Sequence, residues 1–185
     1  VAKSGALGEA LEKGYIALDN IDVMGTEADL EAAKKVPEFE AFGCGAWTVW
    51  DSFQNFKKTS SEEAATQGFY TIQPTFTLKD KAAAEPFMKK CVDLTKNEEG
   101  CMYYGWTIKD DKLFCREAYV DAAAVQAHLD NIVPSVGEML DSGAASLDKI
   151  EFHGPKEGWP TFKKSADALG AIYWDRYASF SKFKM

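Results

Sequence analysis

The feature that most narrows the fold is a repeated switch of hydrophobic period between residues 69 and 152. Phe69 to Leu78 alternates and is rich in strand formers such as Tyr70, Ile72 and Phe76. Pro74 within it marks either a sheet edge or a bulge. Lys81 to Asn97 then takes the helical period, with Phe87, Cys91 and Leu94 on one side and Glu99-Gly100 as its stop. Cys101 to Ile108 and Leu113 to Val120 return to alternation, joined by the short hairpin Lys109-Asp-Asp-Lys112. Asp121 caps a second helix that runs to about Asp141, with Val125, Leu129, Ile132, Val136 and Leu140 in its stripe. Pro134 is placed to kink that helix. Ser142-Gly143 ends it, and Leu147 to Phe152 forms a fourth strand. The tail adds a helix, Thr161 to Leu169, and a strand, Ala171 to Phe180.

This order, β-α-β-β-α-β, is the split βαβ arrangement. It predicts an α+β, ferredoxin-like domain over residues 66–185, with a four-stranded antiparallel sheet and both long helices on one face. Residues 1–65 read differently, as a helical, aromatic-rich extension. Ala6, Leu7, Leu11, Tyr15 and Ile16 recur at helical spacing. Thr26 with Asp29 opens a helix from Glu27 to Val36, which Pro37 stops. Phe39 and Phe42 precede Trp47, Trp50, Phe53 and Phe56, which sit three apart as on one helix stripe. Thr59 to Thr66 is a polar bridge between the two parts. Six large rings are too apolar to stay solvated, so the extension is expected to be ordered. It buries that face either on its own domain, giving a monomer, or on a protein partner or second copy.

The net charge of -8 and the presence of only two arginines, Arg116 and Arg176, point away from nucleic acid and from an anionic membrane surface. No apolar run is long enough for a membrane span. The first residues, Val1-Ala-Lys-Ser, have neither an initiator Met nor an apolar signal core and read as a trimmed or processed end. Cys44, Cys91, Cys101 and Cys115 form no CxxC pair and have no His at zinc-ligand spacing. They read as free buried thiols of a soluble protein in a reducing compartment, cytoplasm or organelle interior.

Three pieces in order carry a resemblance. They are Asn97-Glu-Glu-Gly-Cys-Met-Tyr-Tyr, then Leu113-Phe-Cys-Arg-Glu-Ala-Tyr-Val-Asp followed by Ala127-His128-Leu129, then Phe152-His-Gly-Pro. Together residues 68–183 resemble the antibiotic-biosynthesis-monooxygenase family. The resemblance implies a ferredoxin-like unit that pairs sheet to sheet into a dimeric α+β barrel. It also implies a cavity between sheet and helices, and in some members oxidation of polycyclic phenols without metal or flavin. Haem-degrading members carry a ligating His further along the second helix. Asp130 to Leu140 has none, so no haem and no other cofactor or metal is expected.

Pairing Lys109 with Lys112 puts Trp106 opposite Cys115, Tyr104 opposite Glu117 and Met102 opposite Tyr119, all on one face. That face is either an aromatic core or the wall of a site for a flat aromatic molecule. As a site, Glu117, Tyr104 and Tyr119 would supply a base and a polar wall, since a half-buried carboxylate needs a partner. Trp106 and Met102 would line it, and Gln73 falls near a position where relatives place an amide. The family typically has Trp where this chain has Tyr119, and commonly has His where it has His128. From its neighbours one turn away, His128 reads first as a surface or capping residue, otherwise as a substrate contact. His153 and Cys101 fall at element ends and read as structural. Two functions follow: a small-molecule site, possessing family-type monooxygenase chemistry or binding alone, or a non-catalytic accessory subunit that docks through Phe39 to Phe56.

Overall fold

The structure is a computed structural model, and the residues it describes are 10, 13–15, 22–25, 28, 32, 35, 48–57 and 69–176. The chain divides into two compact units, Val1–Ser52 and Phe53–Met185. In the first, β1 (Asp22–Gly25) runs parallel to the start of β2 (Thr48–Lys57), with Asp22 opposite Thr48 and Gly25 opposite Asp51. Ala28 and Ala32 are helical, in keeping with a helix over Glu27 to Val36; the rest of that helix, Phe39, Phe42 and Thr59 to Thr66 lie outside the described residues.

Within the helical stripe expected from Trp47 to Phe56, the described residues, which begin at Thr48, form a strand instead, so the extension is not helical throughout. The physical reason is in the spacing. A step of three residues turns a helix by about 300°, so four aromatics at that step spread over about half its circumference instead of lining up. Thr48, Val49 and Trp50 are β-branched or aromatic and favour a pleated strand.

The second unit contains β3 (Tyr70–Leu78), α1 (Lys81–Thr95), β4 (Cys101–Lys109), β5 (Lys112–Tyr119), α2 (Ala122–Asp141), β6 (Ala145–Gly154), α3 (Trp159–Asp167) and β7 (Ile172–Asp175). Its strands lie in the order β4-β5-β3-β6-β7, antiparallel throughout except for the parallel pair β6 and β7. The expected α+β, ferredoxin-like plan is present, with β7 as a fifth strand. Both long helices start at an aspartate: Asp80 and Asp121 accept the Ala83 and Ala124 N–H groups at 3.0 and 2.7 Å. Lys109 pairs with Lys112, and Asp110 takes φ 53 to close the two-residue turn. β3 is flanked on both sides, so Pro74 does not mark an edge; the register shift against β6 comes just after it, between Thr75 and Phe76, where Asp148 of β6 is the extra residue.

Two glycines of the sequence motifs are fixed by close approach. A Cβ on Gly100 would collide with Ala124 at the start of α2, and one on Gly154 would enter the ring of Tyr70. Tyr70 is held there by its hydroxyl, which donates to the Pro155 carbonyl at 2.8 Å. The core lies between one sheet face and the helices. Met88 and Cys91 of α1 and Val125, Leu129 and Ile132 of α2 pack with Ile72, Phe76, Tyr104, Trp106 and Cys115 of the sheet. Both long helices therefore cover the same face.

Candidate functional site

The hairpin register decides which side chains reach the helices. Tyr104 pairs with Glu117 and Trp106 with Cys115, as the sequence predicts. Ile72 of β3 lies across from Glu117 on its other side. Tyr104, Trp106 and Tyr119 are almost wholly buried, and Glu117 is 5% exposed. Tyr103 and Arg116 occupy the opposite face, where the guanidinium donates to the Tyr103 hydroxyl at 3.3 Å.

Two expected contacts are corrected. Met102 does not pair with Tyr119: β4 bulges between Cys101 and Tyr103, so that Cys101 faces Tyr119 and Met102 joins Ala118 in a small cluster apart from the main core. The bulge adds one residue and turns Met102 away. Gln73 also points away, because β3 alternates and Ile72, Pro74 and Phe76 take the helix side.

His128 is the largest departure from the sequence reading. It sits 2% exposed on the inner side of α2, neither at the surface nor as a cap. Its Nε2 lies 2.9 Å from Oε2 of Glu117, and its Nδ1 lies 3.0 Å from Oε2 of Glu98. Tyr119 donates its hydroxyl to the same Glu117 Oε2 at 2.8 Å. Asn131, three residues beyond His128 and so on the same side of α2, donates to Glu98 at 2.7 Å. The result is a buried string, Tyr119–Glu117–His128–Glu98. Glu98, with its side chain 13% exposed, forms the end nearest the surface.

Burial alone would lower the His128 pKa, but the charges of Glu117 and Glu98 and their hydrogen bonds more than reverse this and raise it to about 9. The imidazole is thus protonated at neutral pH and donates from both nitrogens. Burial, then the Glu117 charge, holds the Tyr119 phenol well above its usual range, so it remains a donor. Tyr104 is pushed the same way by burial and by the neighbouring Cys115 and Glu117. Its ring centre lies 5.8 Å from that of His128, and that of Tyr119 lies 4.7 Å away. Burial raises the Cys91 thiol to about 12; Cys91 and Cys115 are free and buried, and Cys101 is buried as well.

Glu117, His128, Tyr104 and Trp106 form one wall of a cavity between the sheet and α2, whose other walls are apolar: Ile72, Phe76, Ile132, Leu169 and their neighbours. Its free volume is about 40 Å³. Among the described residues the Trp106 indole N–H has no hydrogen-bond partner although it is buried. A buried donor without an acceptor is uncommon and fits a ligand or water oxygen. Both nitrogens of His128 are occupied by carboxylates, and among the described residues no group of three His, Cys, Asp or Glu side chains is arranged to hold a metal.

Glu98 and Asn131 were not foreseen. The available signal was an acidic residue two positions before the motif glycine Gly100, next to the helix that carries His128. Nothing in the sequence fixes which side of α2 meets it.

No protein-family model matches the chain, and no curated protein matches its sequence. Solved structures do match. The chain is similar to MupZ from Pseudomonas fluorescens, with 27% identity and a TM-score of 0.54 over 62% of this chain and 94% of that one. It also matches FN1347 from Fusobacterium nucleatum, provisionally named a monooxygenase, with 15% identity and a TM-score of 0.45 over 56% of this chain and 48% of that one. The class these features define is a ferredoxin-like α+β domain with a buried acid–base string. The likenesses concern the fold and leave the chemistry to the site.

Proposed function

We propose that this domain activates a phenol or enol in the cavity between sheet and α2, as a cofactor-free monooxygenase of the antibiotic-biosynthesis-monooxygenase type. The observation that carries the reading is the buried string Tyr119–Glu117–His128–Glu98 opening on an apolar cavity. Charged groups removed from water are costly unless they are paired, and sites of chemistry concentrate them.

Glu117 accepts the substrate O–H proton. The protonated His128 holds the carboxylate in place beforehand and can pass a proton along to Glu98. The Trp106 N–H donates to the substrate oxygen, which favours the anion as charge develops there. Dioxygen is the oxidant. The anion first gives two electrons to dioxygen, forming a C–O bond to a hydroperoxide at a C–H carbon. Loss of that carbon's proton then supplies two more electrons as the O–O bond breaks, and the outer oxygen leaves as water. A phenol becomes a quinone with one dioxygen consumed and one water released, and no reductant is needed. A binding role without chemistry is the second reading; it draws support from the small free volume of about 40 Å³.

The test is oxygen uptake by the full chain with a panel of phenols and polyphenols. A Glu117→Gln, Tyr119→Phe double variant is expected to lose about 100-fold or more in rate. Equal rates for the two proteins would remove these residues from the mechanism.

A further inference from the structure

The inner cavity alone is too small to hold a whole substrate beyond its reacting head. Ligand sites usually offer about 300–1,000 Å³, and this one has about 40 Å³. Directly behind its apolar wall lies a second hollow, a groove of about 290 Å³ between α2 and α3. Leu129, Val133 and Leu169 line both, so these three side chains are the partition between them. On the groove side the walls are Pro134 and Ala168, both exposed, with Asp130 and Ser165 at the polar rim. Gln126 ties that rim together: its amide N–H groups donate to Asp130 at 2.7 Å and to Ser165 at 3.1 Å.

We propose that cavity and groove are the two ends of one elongated site, whose substrate class is an amphiphile with a single acidic head and an extended apolar body. The inference rests on the cavity being the reaction site. The head, the hydroxyl-bearing edge of a ring or an enol, meets Glu117 and the Trp106 N–H. The body crosses Leu129, Val133 and Leu169 and lies along the groove. Two features of α2 and α3 suit a partition that yields. Pro134 has no N–H to return to the carbonyl four residues back, which loosens α2 beside Val133. Leu169 sits past the end of the short helix α3, next to Gly170 at φ +74, where the chain turns toward β7. The chemistry of the two ends is complementary. Orientation comes from the few polar groups inside, and affinity comes from apolar area in the groove.

The experiment is calorimetric titration of the full chain with para-alkylphenols from methyl to hexyl, in parallel with oxygen uptake. Affinity is expected to rise about fourfold per added methylene until the groove is filled, then level off. Ala168→Trp, at an exposed position of the groove away from the acid–base string, is expected to abolish the gain with chain length and leave methyl-phenol binding within about twofold. Leu169→Ala, which thins the partition, is expected to tighten binding of the longer members. Equal affinity across the series, no binding by any member, or an undiminished gain in a folded Ala168→Trp variant would each overturn the elongated site. Binding that tightens with chain length without oxygen uptake leaves this inference standing and removes the oxidation. A flat series whose methyl member is still oxidised does the reverse.

Discussion

The chain has only two histidines, and the fold shifts their pKa values in opposite directions from the same starting chemistry. His128 on α2 is enclosed by two carboxylates, and its pKa is raised to about 9. His153 on β6 lies flat against the Trp174 indole, with ring centres 6.0 Å apart and planes at 11°. Burial lowers its pKa, Glu151 pulls it partly back, and Lys149 pushes it down again. Its Nε2 has no hydrogen-bond partner among the described residues. Burial acts downward on both rings; His128 has two carboxylates hydrogen-bonded to it, whereas His153 has one more distant carboxylate opposed by Lys149. The lesson is that a desolvated imidazole becomes a permanent cation only when the fold delivers anions to both of its nitrogens. Such an arrangement has no packing benefit that a leucine would not match, which is why it marks a working site.

The largest effect that would break this comparison is expected from His128→Ala. Removing the cation leaves Glu117 and Glu98 buried and facing each other, and breaking such a buried pair costs about 3–5 kcal/mol. Urea unfolding of wild type and variant measures it. Adding Glu117→Gln to His128→Ala is expected to restore part of the loss, since the uncompensated charge is then gone. A His128→Ala protein as stable as wild type would mean that the ring is not charged.

The next effect is a pH dependence. Folded His128 holds its proton up to about pH 9, and an unfolded histidine titrates near about 6.5. The stability this group contributes is therefore complete below about pH 6.5 and declines as pH rises to about 9, by on the order of 3 kcal/mol. Unfolding free energies across that window, with His128→Gln as reference, are expected to fall more steeply in wild type than in the variant, in which buried thiols such as Cys91 leave only the shallower decline near pH 9. Glu98→Gln removes one of the two anions and should shrink the decline without abolishing it. No difference between wild type and His128→Gln would sink the charge assignment.

How much of this was legible in the sequence follows from what each element depends on. The strand and helix order from Tyr70 to Gly154 rests on local periodicity and on caps such as Asp80 and Asp121, and it reads off directly. The partners of Tyr104 and Trp106 also read off, because a two-residue turn at Asp110 fixes the register on its own. Met102 did not, because a bulge leaves no clear trace in composition and inverts the side of every residue beyond it. The strand β2 was hidden by an aromatic spacing of three, which fits neither period well. His128 and Glu98 were hidden for another reason. Their meeting depends on how α2 rotates against the loop before Gly100, a tertiary fact set by the contact of Gly100 with Ala124.

The smallest effect tests the other histidine. His153 is half-buried and neutral at pH 7, and it contributes a flat contact with Trp174 more than an electrostatic one. Replacing it with Gln keeps polarity and loses the stack, so stability at pH 7 should change by about 0.5 kcal/mol or less. The sign of its pH dependence is the informative part. Its folded pKa lies below the unfolded one, so wild type loses stability as pH falls below about 6.5, when the unfolded chain takes up the proton more readily. The unfolded His128 also takes up its proton in that range, but equally in both proteins, so it cancels from the comparison. Comparing wild type with His153→Gln from pH 7 to 5 thus isolates one ring, as pH 7 to 9 isolates the other. The gap between the two proteins should shift toward His153→Gln as the solution is acidified. A gap that moves the opposite way would mean that His153, like His128, has an anion holding its proton, and the contrast between the two rings would be lost.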